Sequence, residues 1–330
     1  MSRLSVASAF SALLIGLSVA QGAAAAPAGP ARPSSTQWLL GDNSSVYLLP
    51  SSQLHQQRQL AQQADRSFAR TSNLTYHNGP VMQTVKVYTI FWIPSGYSVA
   101  SGYQSLLNRY FNDINATSFY NINTQYYQGS SPKIYMQNSS IFGGTWTDSA
   151  GYPGGRGTAA NPLLDSDIQN EVTRAIQSNG WTANATNAFF VYTAQGVESC
   201  YDSADCTPGT SHPVYCAYHG NFAWSGNNVL YANMPYDETW GGSCRSFSVS
   251  PNGNLAADSE ISTSSHEHFE SATDPNGTAW YDARGYEDGD KCAYNYGTIA
   301  VNGSNMTLNG HPYIIQREWR NDTSGCAISR

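Results

Sequence analysis

Charge is scarce in this chain. Only 12% of its 330 residues are Asp, Glu, Lys or Arg, and the formal net charge is -7. There is no Lys/Arg run, so neither a nucleic-acid footprint nor a membrane-surface patch is expected. Beyond the N-terminus no stretch reaches the roughly 18 continuous apolar residues that a membrane-spanning helix needs. Gly-x-Ser-x-Gly is absent, which argues against an ordinary α/β-hydrolase nucleophile elbow. Gly154-Gly155 and Gly241-Gly242 lack the Gly-Lys-Ser/Thr context of a phosphate loop and read as turns. No Cys-x-x-Cys pair exists, which disfavours thiolate zinc ligation.

What is present begins with a targeting segment. Arg3 supplies a positive start, an apolar run follows from Val6 to Val19, and Ala24-Ala25-Ala26 offer small residues for cleavage before Pro27. Residues 1–26 therefore read as a secretory signal peptide, and the mature chain is expected to be secreted, extracellular and monomeric. In an oxidising compartment six cysteines imply three disulfides. The expected pairs are Cys200–Cys206, Cys216–Cys244 and Cys292–Cys326, the last tying the chain end to an acidic segment. Nine Asn-x-Ser/Thr sequons, Asn43, Asn73, Asn115, Asn138, Asn184, Asn276, Asn302, Asn305 and Asn321, suggest a glycoprotein in a eukaryotic host.

Residues 27–75 read as an extension or prosegment, first rich in Pro and Ala, then in Gln, with a polar helix expected from Ser52 to Arg70. One domain is expected over 76–330. Strands are predicted at Val85 to Ile93, Lys133 to Phe142, Asn187 to Thr193 and Asn228 to Met234. Helices are predicted at Ser101 to Asn115, with Ser101 as cap, and at Asp165 to Asn179, stopped by Gly180. Asp165 and Asp167 suit the positive end of that helix better than a glycosidase pair. Alternating strands and helices suggest an α+β fold, a mixed sheet with a backing helix. The abundant aromatic residues are assigned to the core.

The stretch that organises the rest is Ser264-Ser265-His266-Glu267-His268-Phe269-Glu270, a helix starting near Asp258 or Ser262 and ending before Pro275. His266 and Glu270 lie one turn apart on one face, and Glu267 follows His266 directly. This is the zinc-peptidase layout His-Glu-x-x-His with its second histidine replaced by glutamate. The bland alternative is a solvated helix face. Five carboxylates that follow in a turn-rich segment, Asp274, Asp282, Glu287, Asp288 and Asp290, are more than such a face needs in so weakly charged a chain. His268 points to another face of the helix and is assigned a structural role.

Two blocks resemble the plant phosphate-induced / EXORDIUM family and its fungal and bacterial relatives. One is Tyr76-His77-Asn78-Gly79-Pro80 followed by the strand ending Phe91-Trp92-Ile93. The other is His266-Glu267-x-x-Glu270, Thr273-Asp274-Pro275, Ala279-Trp280-Tyr281 and Glu287-x-x-Asp290-x-Cys292. Asp274 and Gly289 depart from the family pattern, which has Asn and Ala there. The resemblance implies secretion and one domain, and supplies no reaction.

The helix layout itself suggests a zincin-like domain with a metal-site helix and a small disulfide-tied C-terminal part. The expected site is zinc held by His266, Glu270 and Glu287, with Asp290 as the alternative third ligand. Glu267 is the expected general base of a secreted metallopeptidase-like hydrolase. Tyr281, Tyr286 and Tyr294 are candidates for stabilising an oxyanion. Calcium, held by Asp274, Asp282, Glu287, Asp288 and Asp290 beside or instead of zinc, is the other metal reading. In that case the protein is a non-catalytic extracellular or cell-wall-associated module. The partner is an extracellular peptide or a cell-wall component.

Overall fold

The computed structural model describes residues 47–51 and 72–330. The signal segment 1–26, the expected helix Ser52 to Arg70 and Asn43 lie outside the described residues. The described residues belong to one compact unit.

A six-stranded mixed sheet forms the frame. Its strands are β1 (Tyr47–Pro50), β2 (Val85–Trp92), β3 (Ser140–Asp148), β4 (Asn187–Thr193), β5 (Tyr215–Trp224) and β6 (Asn227–Met234). They lie in the spatial order β1-β5-β6-β4-β2-β3. The pairs β6/β4, β4/β2 and β2/β3 are parallel, whereas β5 runs antiparallel to both β1 and β6. Alternate residues of each central strand enter opposite cores, as a two-residue side-chain period requires. Val85, Val87 and Phe91 of β2 join one core, and Tyr88, Ile90 and Trp92 join the other.

Among the described residues, three α-helices cover the two faces. Helix α1 (Tyr103–Asp113) and helix α3 (Leu255–Thr273) share the first core. Helix α2 (Asp165–Asn179) packs Ile168, Val172 and Ile176 into the second. Its bounds are those read from its periodicity, and Gly180 ends it at φ +63°. The cap of α1 differs from expectation: Gly102, at φ +79°, precedes it, and Ser101 instead offers its carbonyl to Asn254 Nδ2. The expected strand Lys133 to Phe142 is also split, into a two-residue piece at Ile134–Tyr135 and β3.

α3 begins earlier than expected, where Asn254 Oδ1 accepts the Ala257 N–H at 3.1 Å. It stops before Pro275, and Asp274 Oδ1 turns the chain by accepting the Thr278 and Ala279 N–H groups. From Ala256 to Thr273 every residue is buried, although only a few are strongly apolar. Such a helix is tolerated only if its polar side chains find partners. Ser264 Oγ meets Tyr192 OH at 2.8 Å, Thr263 and Ser259 donate to Asp237, and His268 Nε2 lies 2.9 Å from Ser140 Oγ.

After α3 the chain forms turns and two short hairpins, Met306–Leu308 with His311–Tyr313 and Glu318–Arg320 with Gly325–Ala327. The three disulfides are Cys200–Cys206, Cys216–Cys244 and Cys292–Cys326. The last, spanning 34 residues, removes about 3–4 kcal/mol of unfolded-state freedom by the chain-entropy estimate. The blocks Tyr76 to Gly79 and Thr278 to Tyr281 meet in space. His77 N–H donates to the Ala279 carbonyl, its ring stacks on Tyr281 at 3.6 Å, and a Cβ at Gly79 would sit inside Thr278.

Candidate metal centre

His266, Glu267 and Glu270 project from α3 under the sheet. Glu287 and Asp290 reach them from the segment after the helix, which the Cys292–Cys326 bridge anchors. β5 contributes His219. Among the described residues, two groups bring candidate ligand atoms together: His266, Glu270 and Asp290, and His219, Glu270 and Glu287. Glu270 belongs to both.

The distances resemble a ligand shell more than a hydrogen-bond network. His266 Nε2 lies 3.0 Å from Glu270 Oε1 and 3.8 Å from Asp290 Oδ1. The 3.0 Å approach lacks hydrogen-bond alignment, so His266 Nε2 is buried without a hydrogen-bond partner. Two donor atoms on one zinc ion stand about 3.0–3.4 Å apart. On the other side, His219 Nδ1 lies 3.0 Å from Glu267 Oε2 and 3.7 Å from Glu270 Oε2, and its Nε2 lies 3.9 Å from Glu287 Oε1. Glu267 Oε1 and Glu270 Oε2 are buried without a hydrogen-bond partner.

Outer contacts fix the ligands. Asp290 N–H donates to Glu270 Oε1 at 2.8 Å. Gln316 Nε2 donates to the Gly289 carbonyl and lies 3.0 Å from His266 Nδ1. Gly289 is at φ -68°, which any residue adopts, so its need is closeness. A Cβ there would stand 2.8 Å from His266 Nδ1 and 2.9 Å from Glu270 Oε1.

Burial dominates the electrostatics. It raises Glu267, with the charges of Glu270 and Asp290 adding to the rise, and it raises Glu270 with help from Asp288. It pushes Asp290 up to about 8 and Asp288 to about 7, and it lowers His266. Glu318 is raised in the same way. So many carboxylates in one dry volume must either keep protons or share a cation. The residues fit a divalent cation: a buried imidazole nitrogen and carboxylate oxygens converge, and two of those atoms lack protein hydrogen bonds.

The other predicted residues are placed as follows. Of the acids named for calcium, Asp274, Asp282 and Asp288 belong to neither of the two groups of candidate ligands, and each has local partners. Asp282 Oδ2 takes the Lys291 ammonium at 3.1 Å while its Oδ1 accepts two backbone N–H groups, and Asp274 is committed to the turn after α3. Asp288 accepts from Thr273 Oγ1 and faces Glu318 and Glu270. His268 lies in the core, stacked on Tyr120, and burial lowers it to about 3. Tyr281 stacks on His77, and Tyr286 braces the Asp282 turn through its backbone. Tyr294 donates its hydroxyl to the Pro50 carbonyl at 2.6 Å, and burial raises it. Asp165 accepts from Tyr218 and Tyr231, and Asp167 pairs with Arg156 at 2.9 Å.

His219 escaped the sequence reading because β5 did. Its signal was nevertheless present: two β-rich runs are separated only by Ser225-Gly226, which take φ +49° and +76°. That is the positive-φ pair of a tight hairpin. Alternation then puts His219 on the face of Ala217, which belongs to the α3 core.

A second buried acidic pair lies about two turns from Glu267 towards the start of α3. Glu260 Oε2 accepts the Asp237 N–H at 3.0 Å, and burial raises both acids, Asp237 to about 7. Between the unfolded values near 4 and the folded ones, the native state holds protons that the unfolded chain has released. Stability therefore falls as pH rises through that window, by up to about 1.4 kcal/mol per pH unit per proton. Glu260→Gln is expected to melt about 2–4 °C above the parent at pH 8 and to lose that advantage at pH 4, in paired thermal melts. An equal difference at both pH values would show that the pair carries no proton.

The chain matches no family model, no curated protein and no solved structure.

Proposed function

We propose that this protein is a secreted, zincin-like, zinc-dependent hydrolase that cleaves extracellular peptide bonds. The observation that carries this reading is the posture of Glu267. One of its oxygens is held by His219 Nδ1 at 3.0 Å, and the other is buried without a hydrogen-bond partner beside a convergent His-carboxylate group. A base fixed by a third group, with one oxygen left for a proton, is the arrangement general-base catalysis requires.

His266, Glu270 and Asp290 would hold the ion, with Glu287 approaching from the His219 side. When bound, zinc supplies Lewis acidity, which lowers the pKa of a coordinated water to about 7 and polarises a carbonyl. Glu267 Oε1 takes the proton of the attacking water while His219 steadies Oε2. The water oxygen bonds to the carbonyl carbon, the C–N bond breaks, and Glu267 returns the proton to the leaving amine. The three disulfides and the lack of any membrane-crossing helix among the described residues are compatible with the extracellular setting. The resemblance to the phosphate-induced / EXORDIUM family supports secretion as well.

The test is a peptide-library digest with the zinc-loaded mature protein, read by mass spectrometry. Cleavage that stops on chelation and returns with zinc is expected. A protein that binds about one zinc per chain and cleaves nothing would exclude the hydrolase.

One observation favours a second reading. His219, His266, Glu267, Glu270 and Glu287 are each at most 1% exposed, as suits a structural ion in a non-catalytic extracellular module. Under that reading metal removal lowers the melting temperature and no peptide is cut.

A further inference from the structure

β1 comes from the segment read as an N-terminal extension, yet it forms the outer edge of the main sheet. It runs antiparallel to β5 with Tyr47 opposite His219, Leu48 opposite Tyr218 and Leu49 opposite Ala217. It therefore covers the strand that brings the histidine to the metal centre, at the level of that histidine. Three contacts seat it. Leu49 is buried in a cluster with Cys216, Cys244 and Ala293. Ser51 N–H donates to the Val214 carbonyl at 2.9 Å. The Pro50 carbonyl accepts the Tyr294 hydroxyl at 2.6 Å.

Tyr294 ties β1 to the segment that follows α3. Its hydroxyl is raised by burial, with Tyr296, Asp237 and Glu267 adding their charges. Its hydroxyl points at a main-chain carbonyl of an extended strand. Main-chain pairing along a sheet edge, with one apolar pocket for a side chain, is how extended peptides are held by strand addition. An uncovered edge of β5 would present its backbone groups for just such pairing.

We propose that the outer edge of β5 is the docking strand for an extended peptide substrate, and that residues 47–51 occupy it as a built-in substrate mimic that keeps the chain latent. Tyr294 is then a positioning residue for the carbonyl of the docked peptide, a role now filled by Pro50. Docking rests on the sheet edge alone; turnover of the docked peptide rests on the hydrolase reading.

The experiment uses the whole secreted chain and two variants that unseat the segment. Leu49→Asp puts a charge in the apolar seat, and Tyr47→Pro removes a main-chain donor from the edge strand. The probe is a fluorescent synthetic peptide of residues 45–52, followed by anisotropy, with library cleavage measured in parallel. Both variants are expected to bind the peptide at least about 10-fold more tightly than the parent, and to cleave the library at least about 10-fold faster. Equal peptide binding by parent and variants would overturn the docking strand, even if all three cleave equally and the hydrolase reading stands. Tight binding by the variants with no cleavage by any form would support the docking strand and remove the hydrolase. Hydrogen exchange on the parent chain is independent of variant folding. A latch must open locally, so the amides of 47–51 should exchange at least about 10-fold faster than those of β6. Exchange as slow as β6 would overturn latency.

Discussion

Replacing Glu270 with alanine is expected to abolish metal binding, with at least about a 100-fold loss of affinity for zinc. Glu270 is common to both groups of candidate ligands, so no single remaining set of three survives its loss. The effect should appear in stability as well as stoichiometry. With free zinc about 1,000-fold above Kd, binding stabilises the parent by about 4 kcal/mol. For a chain of this size that is on the order of 10 °C in melting temperature. The parent should show this gap between zinc-loaded and chelated samples, and Glu270→Ala should not. The same melts on four further variants separate the two groups. If one ion sits on the α3 side, His266→Ala and Asp290→Ala behave like Glu270→Ala, while His219→Ala and Glu287→Ala keep most of the gap. Losses in both sets together with two zinc ions per chain would show that Glu270 bridges a pair. Asp282→Ala is the control, since the Lys291 ammonium already neutralises that carboxylate. A Glu270→Ala protein that still carries zinc at parental affinity would remove the centre as assigned.

The local order of the chain was largely readable, and the reasons are physical. β4 and α2 have the bounds read for them, because β4 is a short run buried on both faces of the sheet and α2 packs one apolar stripe against it. α3 was readable only through its motif. A helix buried on every side has no polar face, so neither amphipathicity nor its true start at Leu255 shows in the pattern. The i, i+4 spacing placed His266 and Glu270 together because helical geometry is local. His219, about fifty positions earlier, is brought there by strand pairing, which a motif on one helix cannot encode. In the acidic run after α3, composition says less than local pairing does. Composition grouped Asp274, Asp282 and Asp288 with Asp290, but turn formation and the Lys291 ion pair divide them. Gly289 stands out in the sequence only as a departure from the family pattern, whereas its lack of a side chain is what lets the backbone approach His266 and Glu270. The edge strand β1 was hidden by its setting in a segment whose composition resembles a linker.

Glu267→Gln is expected to leave zinc bound and to lower the cleavage rate by about 10²–10⁴-fold. Glutamine is close to glutamate in shape, so packing under the sheet should persist. Its amide oxygen can still accept from His219 Nδ1–H, the bond that now holds Oε2 at 3.0 Å. What it cannot do is take a proton, and the buried Oε1 position is where that proton would go. The charge change runs in a useful direction. Glu267 is raised by burial and by Glu270 and Asp290, so removing its charge relieves repulsion inside the cluster. The variant should therefore melt at or above the parent, and a loss of activity cannot be blamed on unfolding. The two functions proposed for the centre separate on this one substitution. A structural ion in a binding module predicts unchanged zinc, unchanged or higher stability and no activity to lose. A hydrolase predicts the same zinc and stability with kcat reduced and KM nearly constant, because Glu267 acts on the water and not on the ground-state peptide. Full activity in a zinc-loaded Glu267→Gln protein would exclude Glu267 as the base and shift the search for a proton acceptor to His219.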